Sequence, residues 1–366
     1  MPDFLSPELL ALRERAEQLA TGTLIALRDD PALTAQERRD RVRHASQAAG
    51  LYGLTQSEQV SALSLLVARE TLASHGVGHL EGCFGADPGI ISAVGEPLRT
   101  SHLLPLLAGD KRAGFAFTEP GDAERHTWAR VEGHELVITG RKSYVTGGPD
   151  LSFMTALVEV EGTGPSMVVI DTDRPGVSVE RVFGSLDGSR HAAYRFDAVR
   201  VPMTHAVGKP GDGRSRALAK ISSVRRTVAA DCVGTSAWLI NLVAEVLKRP
   251  RRSGALAEHE RVRLRFGQMR ITAFAARSMV YRVARLADAG QDVVNESIAA
   301  KVFASEAADE IVDAAIQLVG GEALVTGHPL ESAVRRLRAT RLVEGENDTL
   351  RVNVSRGFLD LGKGRL

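Results

Sequence analysis

Residues Gln317–Arg351, QLVGGEALVTGHPLESAVRRLRATRLVEGENDTLR, set the reading of the chain. An apolar helical run closes on Gln317-x-x-Gly320-Gly321. A helix start follows at Pro329-x-Glu331, and Glu344-Gly345 stands in a short break before the last helix. Glycine just past one periodic run and proline in the first turn of the next are the punctuation of helices joined by tight loops. The break sets the Glu344 carboxylate beside Leu342 and Val343. A carboxylate in apolar company loses hydration, its pKa rises, and it can serve as a general base near neutral pH. Read structurally, the same residue is a helix cap or a salt-bridge partner of Arg341.

Working outward, the helical period extends upstream as Val293–Val319, Leu256–Ala289 and Ser215–Leu247. Long amphipathic runs joined by short turns predict an antiparallel bundle. Between about Arg112 and Pro202 the period is 2, in short runs such as Ala113–Thr118, Glu135–Thr139, Ser143–Thr146, Phe153–Val160, Ala192–Phe196 and Val199–Pro202. Turns rich in Gly, Pro and Asp separate them, among them Val131-Glu132-Gly133 and Asp173-Arg174-Pro175-Gly176. Eight such runs predict a small β barrel or sandwich. Before Arg112 the chain reads as helical again, with Ser6-Pro7-Glu8 and the capping box Thr34-Ala35-Gln36-Glu37 as helix starts. The fold class is therefore α+β: an N-terminal helical domain over 1–112, a β domain over 113–208, and a C-terminal four-helix bundle over 209–366.

The 366 residues allow a large core, and 46 basic against 45 acidic side chains leave a net charge of +1. That balance implies no nucleic-acid partner and no anionic membrane surface. The two cysteines, Cys83 and Cys232, sit among apolar residues and fit buried thiols in a reducing cytoplasm. The first twenty residues are amphipathic and carry early acids, unlike a signal peptide, and no apolar stretch of roughly 20 residues is expected to span a membrane. Several motifs fail. The Gly76–Gly82 segment misses the dinucleotide fingerprint and follows a helix. His75 and His79 have zinc spacing, but glycines weaken their helix, so no metal is expected. No Gly-x-Ser-x-Gly elbow occurs.

Five segments in order resemble the acyl-CoA dehydrogenase family of flavoproteins, over nearly the whole chain. They are Phe115-Ala-Phe-Thr118-Glu119-Pro120, Lys142-Ser-Tyr144-Val-Thr146-Gly-Gly, Phe196-Asp-Ala-Val-Arg-Val-Pro202, Gln317-x-x-Gly320-Gly321 and Glu344-Gly345. The resemblance implies bound FAD. Thr146 would hydrogen-bond the flavin edge near N5, and Tyr144 would lie against the ring where the family usually has Trp. Phe117 and Thr118 would meet the pyrimidine side. Gln317, Gly320 and Gly321 would face the adenosine diphosphate part of FAD held mainly by a neighbouring subunit, which implies a homodimer or homotetramer. Glu344 would be the catalytic base, with Arg225 near it helping to set its charge state. The position where one branch of the family keeps its base on an earlier helix is here Val224, which takes no proton. An electron-transfer flavoprotein is the partner the family implies for reoxidation.

Departures cluster where FAD and coenzyme A would be gripped. The usual Gly-Ser-Asp loop is replaced by Gly121–Thr127. The arginine that grips the FAD pyrophosphate is blurred into Arg249-Pro250-Arg251-Arg252, any arginine of which could meet the phosphates, Arg251 among them, and Glu346 replaces the usual Thr after Glu-Gly. These changes suit a short, oxygenated acyl thioester carried on an acyl carrier protein, as in bacterial polyketide extender-unit pathways of the methoxymalonyl type. The alternatives are a coenzyme A enzyme with an eccentric loop, an oxidase on the same scaffold, or a non-catalytic subunit of a mixed oligomer.

Overall fold

In a computed structural model, residues 5–56, 61–250, 252 and 254–365 are described. The N-terminal helices are α1 (Pro7–Leu19), α2 (Ile25–Asp29), α3 (Ala35–Ala48), α4 (Ala62–Ser74) and the short α5 (Leu104–Ala108). The caps read from sequence are in place. The Ser6 hydroxyl accepts from the Leu9 N–H at the start of α1, and Thr34 and Glu37 form the reciprocal capping box of α3. Gly109 ends α5 at φ +87°, a left-handed cap that glycine adopts without steric cost.

Eight strands follow: β1 (Ala113–Ala116), β2 (Trp128–Glu132), β3 (Glu135–Thr146), β4 (Phe153–Val160), β5 (Gly164–Asp171), β6 (Val177–Gly184), β7 (Arg190–Pro202) and β8 (Ala206–Val207). They form one sheet in the order β6-β7-β3-β2-β4-β5-β8, with β1 added parallel to β4. The sequence pattern had divided β3 and β7 into two strands each. Irregularities explain this: the β3–β7 register slips between Ile138 and Gly140 and again between Lys142 and Val145, and Tyr144 and Ala198 have positive φ. Each slip inverts the in–out alternation, so a continuous strand reads as two. The pattern also assigned Glu132-Gly133 to a turn without the strand before it. β2 and β3 are a hairpin in which Glu132 pairs with Glu135 across that turn.

The last five helices are α6 (Gly213–Lys248), α7 (Glu260–Asp288), α8 (Val294–Val319), α9 (Pro329–Thr340) and α10 (Asn347–Leu359). By its contacts the chain divides into two units, Met1–Phe84 with Ser222–Leu366, and Gly85–Ile221. The three stretches of the sequence reading are thus distributed over two units, with residues 85–112 grouped with the strands. In the helical unit, Leu239, Val243, Ile311, Val312 and Leu330 are among the fully or nearly fully buried side chains of one large core. Each such side chain stabilises the fold by roughly 1.5–3 kcal/mol. By length and hydropathy alone α6 is apolar enough to cross a membrane, contrary to the expectation from sequence, and Leu239 and Val243 of its apolar face lie in this core. In the β unit, the sheet's apolar face buries Leu136, Ile138, Tyr194 and Phe196, while Phe153, Met167 and Val169 pack with Ile91 and Leu106.

Candidate active site

In the helical unit, α9 ends at Thr340 and α10 begins at Asn347. Between them Glu344 has φ +55° and Gly345 φ +105°. A left-handed conformation at a non-glycine residue costs of order 1–3 kcal/mol and persists only where neighbours hold it. Two buried cations do so. Arg225 of α6, 8% exposed, donates from Nε to the Glu344 carbonyl at 2.9 Å. Lys301 of α8, with no exposed surface, donates from Nζ to the Gly345 carbonyl and to Asn347 Oδ1, each at 2.8 Å. Asn347 is held in turn by contacts of its amide with Ser305 Oγ and Glu306 Oε1 at 3.1 Å. Burial lowers the pKa of both cations, that of Lys301 to about 8; the Glu344 charge acts on both in the opposite sense.

The structure thus brings Glu344 and Arg225 together, with the guanidinium on the main chain of the proposed base. The cap of α10 is Glu346, whose carboxylate accepts from the Asp348 and Thr349 N–H groups at 2.7 and 2.9 Å. Arg341 bonds Asp309 at 2.8 Å. Capping at this break therefore belongs to Glu346, the residue that departs from the family pattern. Lys301 escaped the sequence reading. Its signal was a lysine on the otherwise small and apolar face Ser297-Lys301-Ala304-Ala308 of α8.

In the β unit, the slip between Lys142 and Val145 swings Tyr144 outward, 64% exposed. Its ring meets Phe183 edge-on at 5.2 Å. Thr146 is exposed two residues on, and its Oγ1 lies 3.4 Å from His191 Nδ1. The Ser143 N–H donates to the Thr118 carbonyl at 2.9 Å, so Phe117 and Thr118 join Tyr144 and Thr146 in one neighbourhood. Lys142, 1% exposed, secures it by donating to Glu119 Oε1 at 2.8 Å and to the Phe117 carbonyl at 3.3 Å. Burial would raise the Glu119 pKa, but bonds from Lys142, His126 and the Thr127 N–H outweigh it and hold the carboxyl at about 2. Lys142 and Glu119 are letters of two family motifs, and their job here is to tie those motifs together.

Gln317, Gly320 and Gly321 lie together and exposed at the end of α8, and Gly320 (φ +83°, ψ −154°) has a conformation open only to glycine. A Cβ at either glycine would have no described neighbour within 4 Å. Arg251 lies outside the described residues. Among the described residues no group of three or more His, Cys, Asp or Glu side chains is placed to hold a metal.

Residues 211–359 match the family model "Acyl-CoA dehydrogenase, C-terminal domain". A Mycobacterium tuberculosis protein named "Probable acyl-CoA dehydrogenase FadE25" is 30% identical over 284 residues, 74% of this chain and 73% of that protein. The chain belongs to the acyl-CoA dehydrogenase family. Solved structures agree in fold. Butyryl-CoA dehydrogenase from Megasphaera elsdenii has a TM-score of 0.80 at 20% identity, covering 98% of this chain and 100% of its own. The FAD complex of PigA has a TM-score of 0.83 at 22% identity, covering 99% of each chain. The N-terminal helices, middle sheet and C-terminal helices are those of an acyl-CoA dehydrogenase fold.

Proposed function

We infer that this protein is an FAD-dependent dehydrogenase of a short acyl thioester, with Glu344 as the base. The observation that carries this is the held geometry of Glu344: a strained, left-handed residue with its carbonyl on Arg225 and the next carbonyl on Lys301, in a chain of this family. In the reaction the Glu344 carboxylate would take the substrate's α-proton as the Cα=Cβ double bond forms. Bound FAD supplies the hydride acceptor, N5 of its isoalloxazine. A thioester α-proton is weakly acidic, so the base must be aimed before the proton moves, and a misplacement of about 1 Å can cost 100-fold. Arg225 and Lys301 supply that aim through the main chain.

The donor set of the β unit fits a flat heteroaromatic group. Tyr144 offers an exposed ring, Thr146 and Thr118 offer exposed polar groups, and the buried Ser143 Oγ has no hydrogen-bond partner among the described residues. The exposed Gln317 and the bare surface at Gly320 and Gly321, beside Leu324 (73% exposed), support a second copy's FAD and a homo-oligomer. Cys83 and Cys232 are free and buried, which supports a reducing compartment such as the cytoplasm.

For the substrate, a short, oxygenated acyl group on an acyl carrier protein is the reading favoured here. A cavity of about 100 Å³ in the helical unit, lined by Ala73, Asp231, Cys232, Trp238, Leu337 and Thr340, supports a small acyl end. Asp231 Oδ2 accepts from Arg69 Nη1 at 2.7 Å, and its buried Oδ1 has no hydrogen-bond partner among the described residues. Coenzyme A is the second reading, favoured by the names of the relatives. Anaerobic flavin bleaching, with matched short acyl groups on coenzyme A and on a carrier protein, tests both. Wild type should bleach faster with the carrier, and Glu344→Gln should stay yellow and not bleach. Near-normal bleaching by Glu344→Gln refutes its role, and equal rates on the two carriers refute the carrier preference.

A further inference from the structure

We propose that His191 is a positioning residue for the flavin edge: held as the tautomer with its proton on Nε2, it takes the hydroxyl proton of Thr146 and leaves that oxygen to face the flavin as an acceptor. The inference rests on the reading above that Thr146 meets the flavin near N5.

Four side chains, Asp187, Ser189, His191 and Thr146, form one hydrogen-bonded chain. Asp187 Oδ1 lies 2.7 Å from Ser189 Oγ and also accepts the Ser189 N–H at 3.0 Å. A carboxylate only accepts, so the serine's hydroxyl proton is committed to Asp187. Ser189 Oγ then meets His191 Nε2, at 2.9 Å, as an acceptor, which puts a proton on Nε2. In a neutral imidazole the other nitrogen is bare. His191 Nδ1 therefore accepts from Thr146 Oγ1 at 3.4 Å, which turns the single proton of Thr146 towards the imidazole.

The strands hold this chain in register. Thr146 of β3 and Phe183 of β6 are the direct partners of His191 on either side, so all three share one face. The Phe183 ring stacks on His191 at 5.5 Å and 25°, and Tyr144 closes a third side at 6.3 Å. A ring flip would have to break the Ser189 bond and the stack together. The nearby charges have partners of their own: Arg181 lies over Phe183, and Arg190 bonds Asp150 at 3.0 Å.

An acceptor-only oxygen discriminates between the two states of a flavin. Oxidised isoalloxazine presents a lone pair at N5, and reduced isoalloxazine presents an N–H. Thr146, with its proton turned to His191, bonds the second and repels the first. His191 thereby shifts the cofactor's equilibrium towards reduction, the direction in which a dehydrogenase must accept hydride.

The test is anaerobic spectroelectrochemistry on the FAD-loaded full chain. His191→Leu frees the Thr146 hydroxyl to turn outward, and the reduced-to-oxidised ratio should fall about tenfold, about 30 mV for a two-electron couple. His191→Asn places an acceptor oxygen near the position of Nδ1 and should stay within about threefold of wild type, a difference smaller than one ordinary hydrogen bond. In a Thr146→Val background, His191→Leu should add almost nothing. An unchanged potential in Thr146→Val overturns the placement of Thr146 at the flavin. A shift in Thr146→Val with none in His191→Leu overturns the role of His191 and leaves that placement standing. Should His191→Leu fail to take up FAD, nitrogen-15 spectra of the wild-type histidines decide, with the His191 signals identified by their loss in His191→Asn. A protonated Nε2 and bare Nδ1 support the proposal, and the reverse tautomer overturns it.

Discussion

Lys301→Met separates what holds the Glu344 loop from what holds the fold. The Lys301 ammonium has no exposed surface and donates to the Gly345 carbonyl and Asn347 Oδ1. Removing it strands two buried acceptors, at about 1–3 kcal/mol each. It also removes a buried charge. Burial takes the Lys301 pKa from 10.5 to about 8, and a depression of that size corresponds to roughly 3 kcal/mol of unfavourable charging in the native state. Methionine refills most of the volume. The terms nearly offset, so the net change should lie between about 1 kcal/mol of gain and about 3 kcal/mol of loss. Activity has no such compensation. With the Gly345 carbonyl released, Glu344 loses its aim, and thioester-driven flavin reduction should fall about 100-fold. A pH series adds a sign. Because the folded pKa is depressed, the unfolded chain binds more protons than the native one between about pH 8 and 10.5, so wild-type stability gains from rising pH across that window. The gain should be absent in Lys301→Met. Urea melts from pH 7 to 10.5 and stopped-flow reduction check both halves. A variant that reduces its flavin within threefold of wild type refutes the anchoring argument, and a pH-independent stability difference refutes the buried charge.

Three further perturbations probe neighbouring parts. Gly345→Ala places a Cβ 2.9 Å from Leu350 Cδ2 and 3.3 Å from Arg225 Nη2 at φ +105°; we expect a loss of about 1–3 kcal/mol by melting and slower flavin reduction, and an unchanged rate counts against the loop's role. Glu119→Gln removes a carboxylate held at about 2. Its stabilising contribution is present above about pH 4.5 and lost as pH falls towards 2, so acid melts of the variant should lack that part of the pH dependence seen in wild type. Tyr281→Phe deletes the hydroxyl that bonds the Glu70 carboxylate, which also takes Arg277 Nη2 at 3.1 Å. A bond to a charged acceptor is worth about 1.5–3 kcal/mol, so urea melts should show that loss with flavin binding unchanged.

The elements most legible in the sequence were those whose signal is local. Ser6, Thr34 and Pro329 mark helix starts, because a cap needs only its own turn. The strands β3 and β7 were cut in two because a register slip erases period 2 while hydrogen bonding continues on the partner strand, which no single segment reveals. The same distinction runs through the candidate site. Glu344, Tyr144 and Thr146 stand in short motifs and could be read directly. Arg225 lies 119 positions from Glu344, Lys301 lies 44 from Gly345, and Thr146 lies 45 from His191, so their bonds follow from packing. Even inside a motif the letters divide. Lys142 and Glu119 bond each other, with Lys142 buried and Glu119 partly so, and are spent on holding the segments together, while Tyr144 and Thr146 are left exposed. Burial is therefore what separates a motif's scaffold from its exposed residues, and it becomes visible only once the chain is folded. Lys301 makes the converse point: a charge on an apolar helical face reads as an anomaly in sequence, and it marks the place where the fold reaches in to hold the Glu344 loop.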